Sequence, residues 1–231
     1  MDKKTGIIVA AIILIFGALI GISIFQNRQS QEESYLAHIQ PASEESGNIP
    51  ENVEGNPDAP VLIFEYADYQ CEGCAAMNPK LNQLVEEYDG KVAVVYRGYV
   101  QSYHANGTAA ASAANAAALQ GYWREFKDVL FENQNDWFYS DAAKFQEQLA
   151  TYFKTATAGK GDLNKFKSDM NSAAVAQKIA FDRKLCEERG LEYTPLIYIG
   201  DTQVKKSEMG TNFLENMRTK INALLEEKGQ K

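Results

Sequence analysis

Two apolar runs separated by a helical repeat constrain this chain more than any other feature of it. Val61-Leu-Ile-Phe-Glu-Tyr-Ala67 is nearly continuous and of strand length, and Val92-Ala-Val-Val-Tyr96 is a second such run. A strand that is apolar throughout, instead of alternating, is covered on both faces. Between the two, Met77, Leu81, Leu84, Val85 and Tyr88 recur at helical spacing from Cys71 onward. Strand, helix and strand in that order predict a parallel βαβ unit with a right-handed crossover.

The remainder extends this unit. Nine alanines fall among the sixteen residues 105–120, which predicts a helix there. Helical patterns follow at 121–133, 141–154, 163–170 and 172–189. Strand signals return at Leu196-Ile-Tyr-Ile199 and again at 203–205, with Gly200-Asp201 as the turn between them. A last amphipathic helix is expected over 211–227, burying Phe213, Leu214, Met217, Ile221, Leu224 and Leu225. The predicted fold is α/β: a βαβ half, a helical insertion of about 105–189, and a ββα half, with no internal repeat.

The N-terminal quarter has a different character. Residues 6–25 carry no charge, and about twenty such residues are what a helix needs to cross a bilayer. Lys3 and Lys4 precede the run, and Arg28 alone follows closely, so residues 1–5 are expected in the cytoplasm and the rest outside. A cleaved signal peptide is the rival reading, and it also exports the domain. Residues 26–60 hold seven acids against Arg28 and four of the six prolines. Residues 26–55 are therefore expected to be a polar linker, with a short edge strand at 49–53. The whole chain carries a net charge of −8, which lacks the electrostatic footprint of a nucleic-acid binder.

Three cysteines are too few for a disulfide-stapled scaffold. Two of them form Cys71-Glu72-Gly73-Cys74 at the predicted helix start. Thiols three residues apart there can close a disulfide, and the helix N-terminus stabilises a thiolate at the first of them. That position makes Cys71 the attacking thiol, and Cys74, one turn inside, the resolving one. Glu72 repels the thiolate, and the helix end is expected to prevail. Half of a zinc site and an inert bridge stay open as readings of the pair alone. A structural zinc needs four ligands, however, and only Cys186, His38 and His104 remain, so no metal is expected. Glu65 interrupts the buried strand six residues before Cys71. An acid there is costly unless used, and it is placed to relay a proton to Cys74. Its alternative is an edge position or a lysine partner. Pro195, after Tyr193-Thr194, opens a core strand, which suits a cis bond and leaves a strand edge for a substrate peptide. Cys186 shares a helical stripe with Val175 and Ile179 and reads as a core residue. Asn106-Gly-Thr108 matches a glycosylation pattern but reads as a helix-opening turn, and His104 as a loop residue bordering the site.

Together these features resemble the thioredoxin superfamily, and in detail the DsbA-like thiol–disulfide oxidoreductases of the membrane-anchored type. Asn56-Pro-Asp-Ala-Pro60 and Phe64-Glu-Tyr-Ala-Asp-Tyr-Gln-Cys71 are similar to that family's run into its site. Pro79 sits where such helices carry a kinking proline, and 104–118 with 126–137 resembles the inserted helices. The likeness covers 56–231. It implies Cys71 and Cys74 as the redox pair, Glu65 as the buried acid, Pro195 as the cis proline facing the sulfurs and Thr194 as its backbone partner for substrate. It also implies exported thiol-bearing proteins as substrates, a quinone-linked membrane protein as reoxidising partner, and no cofactor beyond the disulfide. Strongly oxidising members have Pro-His between the cysteines where this chain has Glu72-Gly73, so a reductase or isomerase with the same site stays open. So does a non-catalytic tethered module.

Overall fold

The structure, a computed structural model, describes residues 14–24, 26 and 35–230. The chain divides into two units, Met1–Leu36 and Ala37–Lys231. In the first, residues 14–24 form a helix, α1, with large apolar side chains such as Leu14, Phe16 and Ile20 exposed. The rest of the expected span at 6–25, and residues 1–5, lie outside the described residues. Among the described residues no helix is long and apolar enough to cross a membrane.

The second unit is built on a five-stranded sheet in the order β1-β3-β2-β4-β5. Its strands are β1 (Asn52–Gly55), β2 (Val61–Ala67), β3 (Val92–Gly98), β4 (Leu196–Ile199) and β5 (Thr202–Gln203). β2 and β3 are parallel, with Glu65 opposite Tyr96, and all other pairings are antiparallel. The crossover helix α2 (Glu72–Glu87) and the terminal helix α9 (Phe213–Glu227) cover one face. Their Met77, Leu81, Leu84, Met217 and Ile221 pack on Val61, Ile63, Val92, Val94, Ile197 and Ile199. The period-two rule puts Glu65 on that same face, beneath α2. Phe64, Tyr66 and Val95 point the other way and pack with the fully buried Cys186.

The insertion comprises α3 (Gly107–Ala118), α4 (Trp123–Glu132), α5 (Gln134–Trp137), α6 (Ala142–Ala156), α7 (Leu163–Met170) and α8 (Ala173–Glu188). The starts of its last three helices are set by side chains that accept from otherwise unpaired N–H groups. Asp141 caps α6, Asp162 caps α7 and Ser172 caps α8. Phe126, Phe145, Phe153 and Phe166 of the insertion meet the alanines of α3 in a core that also takes in Ala67, Tyr69, Cys74 and Tyr96.

The linker expected at 26–55 is corrected by this structure from residue 37 onward. Ile49, Glu51, Asn52 and Glu54 are buried. Arg97 on β3 is sealed from solvent; its Nε donates to Glu51 at 2.6 Å and its Nη2 to the His38 carbonyl at 2.9 Å. Its guanidinium also lies over the Phe64 ring at 4.5 Å. Composition reads acids as solvated, whereas these acids face buried cations supplied from far along the chain. The edge strand also begins three residues later than expected. It ends at Gly55, where φ is +96° and a Cβ would come within 2.9 Å of Val85 and of the Val92 carbonyl.

Candidate active site

β2 runs out at Ala67 and the chain turns through Asp68-Tyr69-Gln70 into α2. The turn is held from inside: the Cys71 N–H donates to the Asp68 carbonyl at 3.0 Å, and the Gln70 N–H to the Asp68 carboxylate at 2.9 Å. Cys71 is the N-cap of α2, so its sulfur stands beside the first N–H groups of the helix. Cys71 is half-buried and Cys74 is sealed beneath it; both are unbridged, as is Cys186.

The two thiols differ sharply. The Cys71 thiol is pulled down to about 6, first by a hydrogen bond from the Cys74 thiol. The Thr194 side chain and the N–H groups of Cys74 and Gly73 at the helix start add to this against the opposing effect of burial. The helix end thus acts as expected but is not the largest contributor, and Glu72 is not among the leading ones. Burial pushes Cys74 well up, and its bond to Cys71 and the charge of Glu65 act in the same direction. Cys71 is thus the more acidic thiol of the two, and the sealed Cys74 the less acidic.

Opposite the sulfurs lies the Thr194–Pro195 bond, which is cis. The Cys71 Sγ is 3.5 Å from the Thr194 carbonyl. The Thr194 hydroxyl is buried without a partner. A Cys71 thiolate can no longer donate, and this hydroxyl is the donor beside it. A Cβ at Gly73 would stand 2.9 Å from the Pro195 Cδ and 3.7 Å from the Cys71 Sγ, so glycine is what lets the proline loop sit this close. Glu72 is exposed on the first turn of α2.

Glu65 is buried, its Oε1 has no hydrogen-bond partner, and burial raises it to about 8. It is therefore mostly a neutral acid at pH 7, beside Cys74. Lys127 on α4 is the cation whose charge opposes this rise, but that ammonium is bound elsewhere. It donates to Glu54 at 2.7 Å, to Asn82 at 2.8 Å and to Asn78, and pairs with Asp128 at 3.0 Å.

Several site residues escape the sequence reading. Gln134 on α5 donates through Nε2 to the carbonyls of Tyr69 at 2.7 Å and Cys71 at 3.1 Å, tying the insertion to the redox turn. Gln70 Nε2 reaches the Phe138 carbonyl at 2.8 Å. Asp68 meets His104 at 2.7 Å. Two polar residues just before the cysteine motif, Asp68 and Gln70, were the available signal, and their partners lie 33 to 68 positions away. Asn106 is buried and donates to the Trp137 and Ser140 carbonyls, as befits a helix-opening turn. Among the described residues no group of His, Cys, Asp and Glu could hold a metal ion.

The family model described as thioredoxin matches residues 48–217. Among solved structures the chain is similar to BdbD from Bacillus subtilis in its oxidised form. The TM-score is 0.64 with 21% identity, over 82% of this chain and 98% of that one. The thiol-disulfide exchange protein alpha-DsbA2 from Wolbachia pipientis gives 0.60 with 19% identity, over 86% and 98%. Both likenesses are of fold. Among curated proteins it is similar to the Na(+)/H(+) antiporter NhaA 1 of Mycolicibacterium gilvum, 27% identical over 152 residues. The NhaA 3 antiporter of Salinispora tropica is 29% identical over 150. In each case 64% of this chain is matched, and it spans 23% and 21% of the antiporters, so the shared part is under a quarter of their length.

Proposed function

The chain belongs to the thioredoxin family, and from that premise we propose that it is a thiol–disulfide oxidoreductase that introduces disulfides into exported proteins. The observation that carries this reading is the split between the two thiols: Cys71 is held near 6 and Cys74 is raised by burial. A reduced pair that keeps a stabilised thiolate above about pH 6 is favoured over an ordinary dithiol. The corresponding disulfide is an oxidant.

In the oxidising direction a substrate thiolate attacks the Cys71 Sγ. A substrate–Cys71 bond forms, the Cys71–Cys74 bond breaks, and Cys74 leaves with the electron pair. Glu65, neutral below about pH 8, gives that sulfur its proton. The substrate's second thiolate then attacks its own half of the mixed disulfide, and Cys71 leaves as the stabilised thiolate. Two electrons pass from the substrate's two thiols to the pair. The Thr194–Pro195 loop offers the substrate backbone a strand edge beside the sulfur. The reduced pair hands its electrons to a quinone-linked membrane protein. The segment 6–25 anchors the chain by a single span, with residues 1–5 in the cytoplasm and the catalytic unit outside.

The test is reoxidation of a reduced two-cysteine peptide by the full chain, with Cys74→Ser as the diagnostic variant. Mixed disulfides should accumulate through Cys71 in that variant, and far fewer through Cys74 in Cys71→Ser. Equal trapping by both variants, or none, removes the reading. Insulin reduction without peptide oxidation would instead make the protein a reductase.

A further inference from the structure

The redox turn carries a second pair of groups that the exchange steps above leave unused. Asp68 is fully buried, three residues before Cys71, and its carbonyl fixes the Cys71 N–H. Its Oδ2 accepts from the Gln101 N–H at 2.7 Å and meets the His104 Nδ1 at 2.7 Å. A carboxylate only accepts, so the imidazole donates Nδ1–H, and in the neutral ring Nε2 is the bare nitrogen. That Nε2 has no hydrogen bond among the described residues and is not sealed from solvent. The ring is fixed on both sides, by Tyr103 at 4.5 Å between centroids and by Phe138 at 6.3 Å. Phe138 is held through its carbonyl by Gln70, the residue before Cys71. An oriented imidazole with one open nitrogen therefore stands on the rim of the turn that presents the attacked sulfur.

We propose that His104 is a further catalytic residue, the general base that takes the proton of the incoming substrate thiol, with Asp68 as its positioning residue. The inference rests on the oxidoreductase reading. Nε2 accepts the proton as the substrate S–H ionises, and the sulfur forms its bond to the Cys71 Sγ while the Cys71–Cys74 bond breaks. The Asp68 carboxylate stabilises the imidazolium, which then gives its proton to solvent. A free thiol has a pKa of about 8.5, so only about 3% is thiolate at pH 7, and a base can gain up to roughly thirtyfold there. The neighbouring segments carry further charged or titratable groups. Tyr103 and Tyr139 are phenols, and the Asp141 carboxylate caps α6. Arg183 of α8 donates to the Val100 carbonyl and lies over Tyr99. Asp136 lies on α5 in the stretch leading to Phe138.

The experiment mixes oxidised full-length protein with a reduced two-cysteine peptide and follows the second-order rate between about pH 6 and 9. His104→Gln keeps a donor for Asp68 and so keeps the loop. It should lower the rate about tenfold at pH 7 and less than twofold at pH 9, where the peptide ionises unaided. Titration of the Cys71 thiolate in the variant should stay near 6, showing the site intact. Equal loss at both pH values would make His104 a structural lock, and no loss would deny it any part; either overturns the proposal. Nitrogen NMR of the wild type must show Nδ1 protonated and Nε2 bare, and the opposite tautomer also overturns it. Failure of the wild type to oxidise the peptide at any pH would instead sink the oxidoreductase reading on which this one stands.

Discussion

A buried acid without a partner makes the sharpest claim at the scale of single residues. Glu65 has a folded value of about 8 against 4.5 for an ordinary glutamate. The folded state therefore holds the proton more tightly, and its contribution to stability is complete below about pH 4.5 and lost as pH rises through 8. Glu65→Gln removes that loss. In the oxidised protein, the variant's stability advantage should grow from near zero at pH 4.5 to a few kcal/mol at pH 9, since each pKa unit is worth about 1.4 kcal/mol. Denaturant melts at three pH values check it, and a gap independent of pH would mean that Glu65 is ionised in the folded state. Thiolate absorbance should give Cys71 a midpoint near 6, and Cys74→Ala should raise it, because the largest lowering comes from the Cys74 thiol. The local part of this site was legible in the sequence. Cys71 and Cys74 lie in one turn, Glu65 interrupts an apolar strand, and Thr194-Pro195 opens another. What was hidden is whatever arrives from elsewhere, such as Gln134 and the Asp68–His104 pair, because no spacing rule connects residues joined only by the fold.

Between elements, the buried network around Lys127 is the test case. It joins β1 through Glu54, α2 through Asn78 and Asn82, and α4 through Lys127 and Asp128. Removing one partner of such a group leaves uncompensated buried charge. Lys127→Met should lower stability by about 3–5 kcal/mol in denaturant melts, and the double variant with Glu54→Gln should lose less than the two single losses combined. Where α2 meets the β4 loop, Gly73→Ala must push Pro195 aside. Peptide oxidation should then fall several-fold while stability moves by less than about 1 kcal/mol. A drop in stability as large as that in rate would show that the proline loop serves packing more than substrate. Alanine content located α3 and helical patterning the other long helices of the insertion, because both signals are local. It did not locate β1 correctly, because the strand's acids, Glu51 and Glu54, are made burial-compatible by Arg97 and Lys127.

For the whole molecule, the unit begins at Ala37 and not at Asn56. A chain begun at Asn56 lacks Glu51 and Glu54, which removes the carboxylate bound to Arg97 and one of the two paired with Lys127. It should melt far lower than one begun at Ala37, or fail to fold, whereas equal melting would make the 37–55 segment dispensable. The proposed topology has its own check: protease added to intact cells stripped of any outer layer should remove the catalytic unit. An impermeant reagent that never labels reduced Cys71 would put that unit in the cytoplasm.

The Glu51–Arg97 clamp has a mechanical consequence. Tension applied along the chain from the N-terminal side of Ala37 meets the His38 and Gln40 bonds to this buried pair, then the pair itself and the β1–β3 ladder. Those two elements carry the load into the middle of the sheet. The turn from Ala67 to Cys71 lies beyond that point along the chain. A pull entering this unit at Ala37 is thus met at β1 before it reaches the cysteine turn.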